Sequence, residues 1–221
     1  MKNRLLIFDA GQLDNRELFD RLYDITPAER KKKISAMKHE ESKRLSLAAG
    51  ALLAYVMKTQ GISHRELIVG EHGKPAFNKC EVNFNLSHSS GFAVCAVSDR
   101  TVGVDIEGIR KFSSRLAQKV FTPQELGQLK ELYGGEDMDE HYTRLWTVKE
   151  SVLKYLGVGI GLSPQKIHLD LSGCVKADCD VQDLSDLNFT FFEEQERLIT
   201  VCSEYDSFCE KAERISPLDI L

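Results

Sequence analysis

Gly103-Val104-Asp105-Ile106-Glu107 is the stretch on which the reading of this chain turns. Residues i and i+2 of a strand share a face. Asp105 and Glu107 therefore point one way, while Val104 and Ile106 point into a core. Further along, Trp146-Thr147-Val148-Lys149-Glu150 reads as a helix carrying a third carboxylate. Mg²⁺ is usually held by one or two carboxylates together with substrate phosphates. A strand and a helix that pool three carboxylates suggest a metal site open to a phosphate-bearing ligand. They point to a phosphoryl-transfer enzyme rather than a binding module.

The bulk properties are compatible with this. A chain of 221 residues can build a sizeable core, or two small lobes sharing one. Its apolar and charged fractions, 42% and 29%, are those of an ordinary globular protein. A net charge of −5 argues against a general nucleic-acid binder, since such domains carry a basic excess. The apolar part of Met1–Asp9 is too short for a signal peptide, and no run approaches a membrane span, so a cytoplasmic enzyme is expected. The six cysteines contain no C-x-x-C pair, which argues against zinc. They read as reduced thiols, with Cys95 and Cys202 in apolar strands.

Outward from the acidic strand, the chain falls into blocks. Leu5 to Phe8 reads as a first strand, and Thr26-Pro27-Ala28-Glu29 as an N-cap followed by proline at the first helical position. Leu45, Leu47, Ala48, Ala51, Leu52, Tyr55 and Val56 recur at helical spacing, and the charged stretch Arg30 to Arg44 before them reads as a solvated face. Val82 to Leu86 and Phe92 to Val97 read as strands joined by a polar connection, Ser87 to Gly91. Thr122-Pro123-Gln124-Glu125 has the form of a capping box, so a helix starts there, and Gly134-Gly135 breaks it. A second helix is predicted from about Asp139 to Leu156, ending at Gly157, with Trp146, Glu150 and Lys154 on one face. Strands follow at Ile167 to Leu171, Leu187 to Phe192 and Leu198 to Cys202. Strand, helix, then strands in each half suits two related lobes, 1–102 and 103–221.

Four motifs taken in order carry a resemblance. Gly73-Lys74-Pro75, Phe84 to Ser89, Gly103 to Glu107 and Trp146 to Lys154 resemble the motif set of the 4′-phosphopantetheinyl transferases of the Sfp type, over residues 26–165. Arg44 and Phe121 to Glu125 also fit. The resemblance implies an α/β (α+β) fold. In it, two similar lobes are related by a pseudo-two-fold, each a small sheet on a long helix, with the active site in the cleft between them. It implies transfer of 4′-phosphopantetheine from coenzyme A to a serine of an apo acyl or peptidyl carrier protein, with release of adenosine 3′,5′-bisphosphate. It makes Asp105, Glu107 and Glu150 the Mg²⁺ ligands, and sets Lys154, with Asp105, against the coenzyme A pyrophosphate. Lys74, Pro75, Ser87 and His88 would hold the nucleotide, with His88 and Arg44 on its 3′-phosphate and the Arg30 to Lys33 run adding charge at the pocket mouth. A serine hydroxyl needs a base: Glu150 is the first candidate and Glu107 its rival. Lys111, Arg115 and Lys119, spaced i, i+4, i+8, would form a basic stripe for an acidic carrier. The family further implies a monomer, with neither nucleic-acid nor membrane partners.

Each feature has a plainer reading. Asp105 and Glu107 suit an exposed edge strand, Glu150 and Lys154 an ordinary i, i+4 ion pair, Trp146 core packing and Lys74 an exposed turn. His39, His64, His72 and His168 have no evident chemical partner, and His141 with them reads as a surface or core residue. Two other functions use the same residues: a metal-dependent phosphoanhydride hydrolase, and an inert binder of adenine nucleotides.

Overall fold

The unbroken apolar run Leu5 to Phe8 in the first strand implies a sheet covered on both faces, and the computed structural model places it so. It describes residues 2–70, 73–78, 80–134 and 138–221; His72 and Gly135, read above as a partnerless histidine and a helix breaker, lie outside the described residues. In chain order the elements are β1 (Arg4–Asp9), α1 (Arg16–Ile25), α2 (Ala28–Ser35), α3 (Glu40–Gln60), β2 (Leu67–Val69), β3 (Pro75–Phe77), β4 (Asn83–Ser89), β5 (Phe92–Ser98) and β6 (Val102–Gly108). Then come α4 (Ser114–Val120), α5 (Pro123–Tyr133), α6 (Met138–Leu156), β7 (Ile167–Asp170), β8 (Lys176–Cys179), β9 (Asn188–Glu194), β10 (Arg197–Ser203), β11 (Ala212–Arg214) and α7 (Pro217–Ile220). The fold is mixed α/β.

Two sheets organise it. One has the order β11-β1-β5-β4, the other β6-β10-β9. Leu6 and Phe8 of β1 and Ala93, Cys95 and Val97 of β5 pack beneath the apolar stripe of α3. Leu5 and Ile7, with Phe92, Val94 and Ala96, face the second sheet and meet Val104, Ile106, Ile199 and Val201. Burial on both faces explains why these strands are near-continuous apolar runs. The second sheet turns its other face to α6, where Val148 and Val152 share a cluster with Cys202. The C-terminal segment returns to the first sheet. β11 pairs in parallel with β1, and Lys58 Nζ of α3 donates to the Ile220 carbonyl of α7 at 3.0 Å.

The edges of the two sheets meet. β4 and β6 advance side by side and are joined through side chains. Asn85 Oδ1 accepts from Val104 N at 2.9 Å, Ser87 Oγ donates to Asp105 Oδ1 at 2.8 Å, and Ser89 Oγ donates to Glu107 Oε2 at 2.8 Å. Each edge thereby covers groups that would otherwise invite a stray strand.

Several local readings change. Thr26 caps no helix start: it closes α1, and its hydroxyl donates to the Leu22 carbonyl at 2.8 Å. The helix α1 went unread, although Asn15 Oδ1 caps it by accepting from Glu17 N and Leu18 N. The basic stretch is split between α2 and α3, and Arg30 is not a solvated residue: its Cγ lies 3.0 Å from where a Cβ on Gly50 would sit. Ser87 and His88 stand within β4, not in a loop, and pair opposite Val94 and Ala93. The connection is only Ser90-Gly91, both at positive φ (49° and 88°), as a two-residue type I′ hairpin requires. Lys111 precedes α4, so only Arg115 and Lys119 share its exposed face.

Candidate active site

A cavity of about 780 Å³ opens where β4, α2, α6 and the β2–β3 hairpin converge. Arg30 and Lys33 of α2, Lys74 and Pro75 at the hairpin, Ser87 and His88 of β4, and Trp146, Glu150 and Lys154 of α6 all line it. Leu53, Leu86, Leu153 and Leu162 supply apolar wall. A concave wall that combines apolar side chains with converging polar and charged groups is what a small-molecule site needs.

The strand–helix geometry that brings the acids together depends on a glycine. A Cβ on Gly103 would lie 2.0 Å from the Ser151 carbonyl oxygen and 2.7 Å from Tyr155 N, so α6 crosses β6 backbone to backbone. This lowers Glu150 and Lys154 onto the face that carries Asp105 and Glu107. Lys154 Nζ donates to Asp105 Oδ1 at 2.5 Å and to Ser87 Oγ at 2.7 Å. Glu107 accepts from Trp146 Nε1 at 3.3 Å as well as from Ser89. Trp146 is thus more than core packing: it orients a carboxylate and forms cavity wall.

Asp105 is 3% exposed. Burial pushes its carboxyl above the ordinary range, with Lys154 opposing and Glu107 reinforcing the rise. Glu150 is raised for the same reasons: burial first, then the charge of Asp105, against the opposing pull of Lys154. One lysine, Lys154, faces three carboxylates, so the cluster keeps a net negative charge. Asp105 Oδ2 is moreover buried without a hydrogen-bond partner, a costly state unless something else occupies it. The donor set, all oxygen and net negative, suits a hard divalent cation. As the side chains stand, no three His, Cys, Asp or Glu groups among the described residues are gathered tightly enough to hold one, and Lys154 holds Asp105 Oδ1. The orphan oxygen and the mutual repulsion are the features that fit a cation.

Residues 101–211, which carry β6 through β10, match the profile of the 4′-phosphopantetheinyl transferase superfamily. The chain belongs to the 4′-phosphopantetheinyl transferase family, in its Sfp type. A 4′-phosphopantetheinyl transferase of Bacillus subtilis is 29% identical over 88% of this chain and 89% of its own length. The 4′-phosphopantetheinyl transferase Sfp of Bacillus subtilis strain 168 is 28% identical over 67% of each chain. AcpT of Escherichia coli K12, also a 4′-phosphopantetheinyl transferase, is 34% identical over 63% of this chain and 71% of its own.

In this transferase most of the site residues singled out in the sequence come together, and Arg44 does not. Its guanidinium pairs with Asp14 at 2.6 Å, and it is absent from the cavity wall. Arg30 and Lys33 stand there instead. Burial pulls both cations below their usual values, and Arg30 adds to the effect on Lys33. His88, between them and Lys154, is held down to about 4 by burial first and then by Arg30, Lys33 and Lys154. The cavity wall thus combines the cations Arg30, Lys33 and Lys154 with the acid Glu150, while Asp105 and Glu107 are not part of it. Sequence reasoning also missed Ser89, on the Glu107 side of β4, and Arg110, whose guanidinium lies 5.1 Å from the Trp146 ring and 5.2 Å from that of Phe112. Alternation along β4 would have found Ser89, since Ser87 and Ser89 share a face. No helix among the described residues is long and apolar enough to cross a membrane.

Proposed function

We propose that the protein transfers the 4′-phosphopantetheine group of coenzyme A to a serine of an apo acyl or peptidyl carrier protein and releases adenosine 3′,5′-bisphosphate. The observation that carries this reading is the buried, unpartnered Oδ2 of Asp105 beside Lys154 and Glu150. Lys154 and Glu150 line a cavity that also gathers Arg30, Lys33 and His88. A ligand with a pyrophosphate at its middle and a further phosphate on its nucleotide matches that charge pattern.

In the reaction the serine oxygen attacks the pantetheine-side phosphorus. The bond from that phosphorus to the bridging oxygen breaks, and the bisphosphate leaves with that oxygen. Asp105, Glu107 and Glu150 would hold Mg²⁺, which when bound neutralises pyrophosphate charge and eases departure of the bisphosphate. Lys154 is a point charge for the same phosphates. Glu150 takes the serine proton in this reading. It lines the cavity, whereas its rival Glu107 does not. Pro75, Ser87 and His88 form the nucleotide wall, and Lys74 lines the same cavity with its ammonium turned to the end of α6. Arg30 and Lys33 replace Arg44 as the cations for the 3′-phosphate. The two sheet–helix units act as two related lobes with the cavity as their cleft. The carrier docks across its mouth near Arg115 and Lys119, the protein acting as a monomer.

The test is to incubate the protein with coenzyme A, Mg²⁺ and an apo carrier, and to weigh the carrier. A mass gain of one phosphopantetheine, lost with Glu150→Gln, Asp105→Ala or chelator, is expected. Release of bisphosphate with no carrier modified would overturn transfer in favour of hydrolysis.

A further inference from the structure

We infer that Lys74 is a positioning residue for the active site: its ammonium caps the C-terminus of α6 and fixes the backbone from which Lys154 reaches Asp105. This deepens the proposed transfer reaction and rests on it.

The geometry is specific. Lys74 Nζ donates to the carbonyl of Lys154 at 2.6 Å and to that of Tyr155 at 3.2 Å. The last carbonyls of a helix have no partner within it. In α6 the Leu153 carbonyl accepts from Gly157 N at 3.0 Å, and the next two are taken by Lys74. A cation at a helix C-terminus also meets the favourable end of the macrodipole. The contact joins distant parts of the chain, since Lys74 leads into β3 of the hairpin. The hairpin is held shut beside it by Gly70 N donating to the Lys74 carbonyl at 2.9 Å. At the other side, Gly157 turns the chain at φ 70°, and a Cβ there would lie 3.3 Å from Lys74 Cδ, so the helix end leaves just enough room for the lysine stem.

The residue whose carbonyl Lys74 holds is the residue whose side chain bonds Ser87 and Asp105. A path thus runs from the hairpin through Lys74 to the Lys154 backbone, and through Lys154 Nζ to Asp105. Burial lowers Lys74 to about 8, which agrees with an ammonium drawn out of water and kept by its two acceptors. A lysine serving only to bind nucleotide phosphate would point its charge into the cavity; here both bonds go to backbone.

The two roles separate kinetically. A direct ligand contact, when removed, raises KM for coenzyme A and leaves kcat. A positioning contact, when removed, lowers kcat. For Lys74→Met the expected result is a fall in kcat of about tenfold with KM for coenzyme A changed less than about twofold. Lys74→Arg, which can still donate to both carbonyls, should restore most of the rate. In the ligand-free Lys74→Met protein, amides at the end of α6 should exchange with solvent about tenfold faster, with β1 and β5 unchanged. A raised KM with intact kcat, or unchanged exchange at the end of α6, overturns the proposal. Failure of the unsubstituted protein to modify any carrier would overturn the transfer reading instead, and the exchange measurement would still decide the cap.

Discussion

Gly103 and Ser151 are in backbone contact, with room between β6 and α6 for a hydrogen on Gly103 and for nothing larger. Gly103→Ala forces the helix off the strand. It should cost about 2–3 kcal/mol in urea denaturation, the range for overpacking a closed interface, and should lower activity in the folded fraction because Glu150 and Lys154 ride on that helix. Gly127→Ala is the control. Its methyl would meet nothing within 4 Å inside α5, so a gain of about 0.5–1 kcal/mol is expected. Equal effects at the two glycines would refute the close-approach argument.

Lys149 is fully buried and donates to Glu125 Oε2 at 2.7 Å, to the Val120 carbonyl at 3.1 Å and to the Pro164 carbonyl at 3.2 Å. Burial pulls the ammonium down while Glu125 holds it up. Removing one partner of such a pair leaves a buried charge, which costs about 3–5 kcal/mol. Lys149→Met should therefore show a loss of that size in chemical denaturation. Arg144→Met, which breaks the half-buried pair with Glu140 at 3.2 Å, should lose less than about 1 kcal/mol, since much of that pair is still open to solvent.

Arg30 and Arg44 make opposite predictions about the nucleotide end of the cavity. Calorimetric titration with adenosine 3′,5′-bisphosphate should show Arg30→Ala binding at least about tenfold more weakly, as expected for loss of a charge-assisted contact. Arg44→Ala should stay within about threefold, because Asp14 already occupies its guanidinium. The reverse order would restore Arg44 to the site and remove Arg30 from it.

His88 sets a pH dependence. Its folded value, about 4, lies below the ordinary 6.5, so folding favours the neutral ring. The stability it contributes is complete above pH 6.5 and is lost as pH falls from there toward 4. Denaturation midpoints at pH 7.5 and 5 should fall further for the native chain than for His88→Gln. Adding adenosine 3′,5′-bisphosphate should raise the His88 value in an NMR titration, because an anion offsets Arg30, Lys33 and Lys154. A value unmoved by saturating ligand would place the phosphate elsewhere.

Elements governed by local rules were legible in the sequence. The Thr122–Glu125 capping box is formed in both directions, at 2.7 and 3.2 Å, and α6 spans nearly the predicted range because Gly157 supplies the left-handed turn that ends it. Alternation put Asp105 and Glu107 on one face. What depends on distant partners was hidden. Thr26 sits before a proline like an N-cap, yet its hydroxyl turns back to Leu22. Arg30 looks solvated beside three lysines; the resemblance set that run at the pocket mouth, but only the fold reveals that Arg30 lies against Gly50. Ser87 and His88 are polar and adjacent, which suggests a loop, but β6 lies alongside β4 and gives Ser87 a buried carboxylate to bond. Lys149 reads as one more helix cation, because its three acceptors are brought in by other segments.

The parallel pairing of β11 with β1 has a consequence for synthesis. β1 leaves the ribosome long before β11, and its outer edge is completed by residues 212–214. Until those residues emerge, the nascent chain displays an apolar strand with one row of backbone donors and acceptors unanswered, a template for wrong pairing. A message that stops short of this strand would yield a product carrying β6, α6 and every acidic residue of the site, yet with that edge open to chaperones, proteases and its own copies.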